Sequence, residues 1–430
     1  MENSKGLKGI LEKNGAAATV IFASLATFFT YSSMYAFRKA FGAADYKTAE
    51  AFTFFGSALT FKIAIASAQI LGYMLSKFMG IKFISEAAPG RRRQLLILLI
   101  VAAWIALLGF AIVPVAFKPL FMFINGIPLG MVWGLVFSHI EGRRYTEIMG
   151  AILCTSFALA SGFVKSIGAW LITQGVTDFW MPFATGGVFL LPFLGSVWLL
   201  GNIPDPTKDD KENRMERLPM TKAERRAILK KFAPGLVLLI LTYILLSAFR
   251  DFRDNFMKEI FQNIGVDQPK NFAVVELWVS ILVCAFVAPL VFIKENKRAF
   301  FTNKTLVIVG LAAAAGSTLL YQQGMLSPIN WMIATGFSVY LAYIPFNAFL
   351  FERFIAMYKL KANAGFLIYL ADSFGYLGAV GVMLYKNFFN KGMDYASFFI
   401  NANYVLAVIG IICMIGAVFY FTRKGQEVAA

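Results

Sequence analysis

Arg38 and Arg250 are the two residues whose type and placement promise chemistry. Each lies in a short stretch that the chain writes twice. Residues 30–41 read T-Y-S-S-M-Y-A-F-R-K-A-F, and residues 242–253 read T-Y-I-L-L-S-A-F-R-D-F-R. Thr30, Tyr31, Ala36, Phe37 and Arg38 return as Thr242, Tyr243, Ala248, Phe249 and Arg250, always 212 residues later. Gly126 and Arg143 have counterparts in Gly336 and Arg353, at the same separation of 17 and an offset of 210. Each copy of the stretch sits toward the far end of the first apolar segment in its half of the chain. An arginine at the centre of a membrane helix costs about 2.5–3.5 kcal/mol on insertion scales, so such a residue is a functional candidate by default. A planar guanidinium grips phosphate or carboxylate through two parallel hydrogen bonds. Two arginines at equivalent positions point to one anion site built by two halves.

The residues around them extend that reading. Lys39 follows Arg38, and the next acidic residue in sequence is Asp45. The alternative for this pair is a helix end that snorkels its charges to the interface, but Arg38 lies about 20 residues beyond the inner end of its segment. Arg250 has Asp254 four positions on, which places both on one helix face, so a local ion pair competes with the ligand reading. Asp251 and Arg253 could neutralise each other in the same way. Lys62, in the second apolar segment, and Lys165, in the fifth, must each face a wet cavity or a partner. Pairing with Glu276 or Asp372 is the structural alternative. Arg38, Lys62, Lys165 and Arg250 outnumber those two acids, and the excess favours an anionic substrate. Asp372, in L-A-D-S-F-G-Y-L-G, is a candidate carrier of a coupling proton, because burial raises a carboxyl pKa and a nearby cation lowers it. Glu276 reads as an interfacial residue with a possible gating part. Tyr31, Tyr35 and Tyr243 are candidate cavity-lining groups, as are Phe37, Trp133 and Tyr376. His139, the only histidine, reads as an interfacial residue at the inner end of the fourth segment. Gly126, Gly130, Gly134, Gly375, Gly378 and Gly381 permit close helix contact or bending.

The elements that must position these groups follow from composition. The chain is 59% hydrophobic and 15% charged, against about 25% charged for a soluble domain. Its apolar runs are around 20 residues long, the length that crosses a bilayer core of about 30 Å. Twelve spans are expected, at about 17–40, 51–76, 94–116, 119–140, 147–173, 180–201, 233–252, 272–293, 304–323, 328–351, 363–386 and 397–421. The first has no cleavage pattern and reads as a retained span rather than a signal peptide. The net charge of +16 resides mainly in alternate loops, through Lys77, Lys82, Arg91–Arg93, Arg143, Arg144, Lys294, Lys297, Arg298, Lys304, Arg353, Lys359 and Lys361. That is the positive-inside pattern, and it places both termini in the cytoplasm. It leaves no compact basic domain for nucleic acid. Residues 202–232 form the only long hydrophilic stretch, where T-K-A-E at 221–224 has capping-box spacing. Arg225, Arg226, Lys230 and Lys231 suit a helix on the membrane surface. The expected domains are therefore a bundle over 1–201, a cytoplasmic linker over 202–232 and a bundle over 233–430. Cys154, Cys284 and Cys413 lie inside apolar runs and imply neither a metal site nor a disulfide framework. No phosphate-binding loop or nucleophile motif supports ATP-driven pumping or hydrolysis, so neither cofactor nor enzymatic activity is expected.

The layout resembles the major facilitator superfamily, an all-α polytopic fold of twelve helices in two pseudo-symmetric six-helix bundles. Y-x-x-x-Y-x-x-R-K-x-F, here Tyr31, Tyr35, Arg38, Lys39 and Phe41, resembles the first span of its organophosphate:phosphate antiporters. That resemblance implies phosphate binding by Arg38 and Arg250. The sequence departs from the family where a histidine of the fifth span is replaced within T-S-F-A-L-A-S-G (155–162), and where the lysine of the second span would fall near Ala68. The loop motif G-x-x-x-D-R becomes Gly72 with Ser76 and Lys77. The expectation is a bacterial inner-membrane carrier, monomeric in its lipid surroundings, that exchanges a small phosphate-bearing anion for inorganic phosphate. Arg38 and Arg250 would clamp the anion from opposite sides. The alternatives are proton-coupled symport of another organic anion through Asp372, a non-transporting receptor of the same fold, and a lipid flippase or scramblase.

Overall fold

The computed structural model describes residues 6–54, 57–86, 89–141, 143, 145–207, 210, 220–266, 268–360, 362 and 364–429. Two compact units, Met1–Glu216 and Arg217–Ala430, divide the chain. Of the expected linker, residues 208, 209 and 211–219 lie outside the described residues, as do Arg144 and Lys361.

Unit 1 opens with α1 (Leu7–Lys13) and α2 (Gly15–Arg38), joined where Gly15 takes a left-handed φ of 84°. A 3-10 turn (Ala40–Ala43) and a hairpin of β1 (Phe52–Phe54) and β2 (Ser57–Leu59) follow, with Phe52 opposite Leu59. Next come α3 (Phe61–Glu86), α4 (Arg92–Ile112), α5 (Lys118–Phe137), α6 (Thr146–Thr173) and α7 (Met181–Leu200). The hairpin corrects the expected second span, which begins at Phe61 rather than at 51. Short apolar runs do not distinguish strand from helix, and F-T-F and S-A-L pair as the two short strands of this hairpin. α3 crosses α5 with backbones nearly touching: a Cβ on Gly72 would lie 2.1 Å from the Phe123 carbonyl oxygen, and one on Gly126 2.2 Å from that of Gln69. Small residues at such a crossing let helices pack where lipid supplies no hydrophobic drive.

Unit 2 opens with α8 (Lys222–Asn255), whose N-terminus carries the expected capping box between Thr221 and Glu224. The basic segment after it is helical, as expected, and a kink at the non-helical Phe232, two residues before Pro234, sets it off from the span; the missing proline N–H and ring crowding break the regular ladder there. α9 (Met257–Asn263), α10 (Pro269–Val287) and α11 (Asn296–Gln322) follow. The expected tenth span consists of α12 (Pro328–Pro345), a π turn (Phe346–Leu350) and α13 (Phe351–Met357). α14 (Ala364–Phe389) and α15 (Tyr395–Ala429) end the unit, and α8 packs against both.

Among the described residues, eleven helices are long and apolar enough to cross a membrane. α3 is outside that set; it has 26 residues and carries Lys62, Lys77, Lys82 and Glu86. Large apolar side chains such as Ile105, Leu191, Trp198, Ile412 and Phe419 stand exposed on these helices, which is where lipid tails cover them. The chain is a multi-pass membrane protein.

Candidate functional site

In unit 1 the site residues gather at the C-terminal end of α2. The last helical carbonyls of any helix lack intrahelical partners, and here two amides from neighbouring helices supply them. Gln69 Nε2 on α3 donates to the Arg38 carbonyl at 2.9 Å and to Asn125 Oδ1 at 2.7 Å. Asn125 Nδ2 on α5 donates to the Phe37 carbonyl at 3.1 Å and to the Ala103 carbonyl of α4 at 2.9 Å. Four helices are thereby tied at the residue that carries the guanidinium. Arg38 itself is buried, with Cζ 4.0 Å from the centre of the Tyr73 ring and 5.9 Å from that of Tyr35. Tyr31 packs edge-on against Tyr35 and Phe157, so all three expected aromatic and cationic members of α2 come together.

Lys39, Lys62 and Lys165 are buried as well. Lys62 Nζ donates to the Gly42 carbonyl at 3.0 Å, in the 3-10 turn after Arg38. Lys118, not singled out from the sequence, donates to the carbonyls of Phe110 and Ala111 and lies 4.2 Å from the Phe179 ring centre. Lys77, expected as a loop charge that sets topology, is instead enclosed within α3. Its Nζ lies 5.5 Å from the ring centres of both Tyr73 and Trp133. Helix α3 continues past it to Glu86, and the loop charges begin only beyond. No aspartate or glutamate is among the buried described residues of unit 1.

Unit 2 is arranged differently. Arg250 donates from Nη2 and Nε to Asp251 Oδ1, at 2.8 and 3.1 Å, and stacks 4.1 Å from the Tyr343 ring centre. The expected i, i+4 pair with Asp254 is replaced by this contact with the adjacent residue. Asp254 is buried elsewhere on the helix. Arg253 does not neutralise Asp251 either: it reaches Glu276 Oε1 on α10 at 2.5 Å and the Met332 carbonyl on α12 at 3.1 Å. Glu276 is therefore a buried half of an ion pair, 3% exposed, rather than an interfacial residue. Its burial was hidden from the sequence because its partner is 23 residues away on another helix. Tyr243 donates its hydroxyl proton to Asp372 Oδ1 in a short contact, and its oxygen lies 2.8 Å from the Tyr343 hydroxyl and within 3.4 Å of Asn347. Asn347 is in the π turn, the irregularity in α12–α13 that re-aims side chains at functional helices.

The duplicated stretch is thus visible inside each unit. Thr30 and Thr242 each bond the carbonyl four residues back, and each arginine stacks on a tyrosine, Tyr73 or Tyr343. The second repeated pair is structural. Arg143 bonds the Pro204 and His139 carbonyls, and Arg353 bonds Asn296 Oδ1 at 2.9 Å. His139 donates from Nδ1 to the Leu135 carbonyl, and burial pushes its imidazole below the usual range despite that bond. Tyr73, Gln69, Asn125, Tyr343 and Asn347 are the members that sequence reasoning missed, while Lys77 and Asp251 were given other roles. A polar amide or a lysine inside an apolar run was the available signal.

Two buried arginine clusters, each on the first long helix of a compact helical unit, belong to a polytopic protein of the major facilitator fold. The chain matches the crystal structure of a D-xylose–proton symporter with a TM-score of 0.59 and 15% identity, over 93% of this chain and 96% of that one. At that identity the likeness shows the fold. Residues 40–424 match a family of unknown function, DUF5690, and the chain belongs to that family. No curated protein matches it.

Proposed function

We propose that this protein is a secondary transporter that carries a small anionic, phosphate-bearing solute by alternating access. One observation carries the reading. The described residues bury ten cations, Arg38, Lys39, Lys62, Lys77, Lys118, Lys165, Arg250, Arg253, Lys304 and Lys386, against four carboxylates, Asp251, Asp254, Glu276 and Asp372. A low-dielectric interior strengthens the attraction of such an excess for a negative ligand. Arg38 is the principal ligand, held by Gln69 and Asn125 and stacked on Tyr73. Arg250 is the corresponding group of unit 2, with Asp251 as the counterion that an arriving anion displaces. Tyr31, Tyr35 and Tyr243 line the route, and Lys39, Lys62 and Lys165 add positive potential. The resemblance of the Arg38 stretch to organophosphate:phosphate antiporters supports exchange against inorganic phosphate, in a carrier that is no enzyme, in a bacterial inner membrane with both termini cytoplasmic.

A specific contact favours a second form of coupling. Asp372, joined to the Tyr243 hydroxyl and through it to Tyr343, is the buried carboxylate that proton symport of an organic anion would use. Counterflow of labelled phosphate into liposomes preloaded with phosphate separates the two. Exchange predicts accumulation that vanishes without internal phosphate and survives Asp372→Asn. Proton symport predicts uptake driven by a pH gradient and lost in Asp372→Asn. A folded protein that moves no anion under either condition contradicts the proposal.

A further inference from the structure

On α3, Lys62, Gln69, Tyr73 and Lys77 fall within about 80° of one another around the helix axis, at 100° per residue. They form a polar stripe in an otherwise apolar segment. At its centre Tyr73 holds two cations near one ring, the Arg38 guanidinium at 4.0 Å and the Lys77 ammonium at 5.5 Å. The same ammonium lies 5.5 Å from the ring centre of Trp133 on α5. The Trp133 ring is held by a parallel stack on Phe137, 4.9 Å between centres. Its indole N–H is buried and has no hydrogen-bond partner, and the Ser76 hydroxyl beside Lys77 in sequence is likewise buried without one. A buried donor without an acceptor is costly, and the indole N–H of Trp133, on the ring that faces this ammonium, asks for the same partner as the ammonium, a negatively charged oxygen.

We propose that Lys77 and the indole N–H of Trp133 form a second anion subsite in unit 1, to which the solute passes from Arg38 across Tyr73. This rests on the anion-carrier reading and adds to it a direction of travel. Both cations lie near the one Tyr73 ring, so an anion held by either is close to the other. Weak, neighbouring sites also let a tightly held ion leave, since release from Arg38 need not wait for full rehydration. Lys77 lies toward the Glu86 end of α3, the end that leads on to the basic Arg91–Arg93 of the expected cytoplasmic side. The subsite is therefore the cytoplasm-proximal one.

Reconstituted full-length protein of fixed orientation tests this, with labelled inorganic phosphate presented from one face at a time. Lys77→Gln is expected to raise the half-saturating phosphate concentration about tenfold at the cytoplasmic face and by less than about twofold at the other, the loss of one charge-assisted hydrogen bond. Trp133→Phe, which keeps the stack on Phe137 and removes only the N–H, should give about threefold at the same face. Lys77→Arg should restore most of the affinity. Equal changes at both faces, or wild-type values in both Lys77→Gln and Trp133→Phe while Arg38→Ala is inactive, would overturn the subsite and leave the anion reading standing. Wild-type protein that exchanges D-xylose but no phosphate would overturn both.

Discussion

Unit 1 buries Arg38, Lys39, Lys62, Lys77, Lys118 and Lys165 and encloses no carboxylate among its described residues. Unit 2 sets Asp251, Asp254, Glu276 and Asp372 among Arg250, Arg253, Lys304 and Lys386. The two halves carry the same stretch of sequence, yet one keeps an excess of positive charge and the other is balanced. On the proposed function the difference separates two tasks of a carrier. The positively charged half would select an anion, because low dielectric strengthens its attraction for a negative ligand. A balanced half holds its arginines in place without substrate and leaves Asp372 and Tyr243 free of the selection task. In unit 1 the amides of Gln69 and Asn125 are neutral and bond the backbone at Arg38 and Phe37. In unit 2 the support of Arg250 is itself an anion, so binding there competes with Asp251.

The sharpest way to break this comparison is to remove each arginine. Arg38→Ala should reduce anion flux by roughly 100-fold, the value of a charge-assisted contact of up to about 3 kcal/mol. Arg38→Lys should recover little of it, since a point ammonium cannot replace the stacked planar fork. Counterflow rates check both. Next in size is the buried pair of unit 2. Glu276→Gln should destabilise the protein by about 3–5 kcal/mol by leaving Arg253 without its counterion, read as a fall in thermal midpoint. The double variant Arg253→Met, Glu276→Leu should recover part of that loss. A Glu276→Gln protein of normal stability and abolished transport would instead assign the pair to the transport cycle and erase the division of tasks.

A smaller effect is expected at the neutral supports. Asn125→Leu removes the donors to Phe37 and Ala103 and the acceptor for Gln69, and should lower flux about tenfold at unchanged anion selectivity, at a cost of about 1–3 kcal/mol in positioning. The smallest lies at the N-terminus of α15. Burial raises the Asp394 carboxyl, but hydrogen bonds from the Ser397 hydroxyl and N–H outweigh it and hold the group below the usual carboxylate range. The folded value is thus depressed, so its stabilisation is present above the unfolded carboxylate pKa and lost as pH falls through the folded one. Asp394→Ala should cost about 1 kcal/mol at neutral pH and nothing below that acidic window, as thermal midpoints across pH 7 to 3 would register.

Much of this was legible in the sequence, for identifiable reasons. Runs of apolar residues define spans by length, the capping box at Thr221 is local, and the twin arginines are visible because charge inside such runs is rare. The hairpin at 52–59 escaped because hydropathy averages over a ten-residue stretch that alternates. Arg250 took Asp251 rather than Asp254 because the choice depends on where Tyr343 fixes the guanidinium plane, a contact from α12. Gln69 and Asn125, Arg253 and Glu276, and Lys77 and Trp133 are pairs between helices, and no spacing rule within one segment reveals them. The expectation that Lys77 and Lys304 are loop charges failed for a related reason. Both lie inside helices, Lys304 with its ammonium 3.8 Å from the Phe301 ring centre and 4.1 Å from that of Phe300, and a basic residue near a span's end looks the same in sequence whether buried or not.

The central claim, that the positive half selects an anion, is tested most directly by calorimetric titration of the purified protein with inorganic phosphate and with D-xylose. The account predicts saturable phosphate binding that weakens roughly 100-fold in Arg38→Ala, with no competition from the sugar. Saturable D-xylose binding that is indifferent to phosphate and to Arg38→Ala would contradict it.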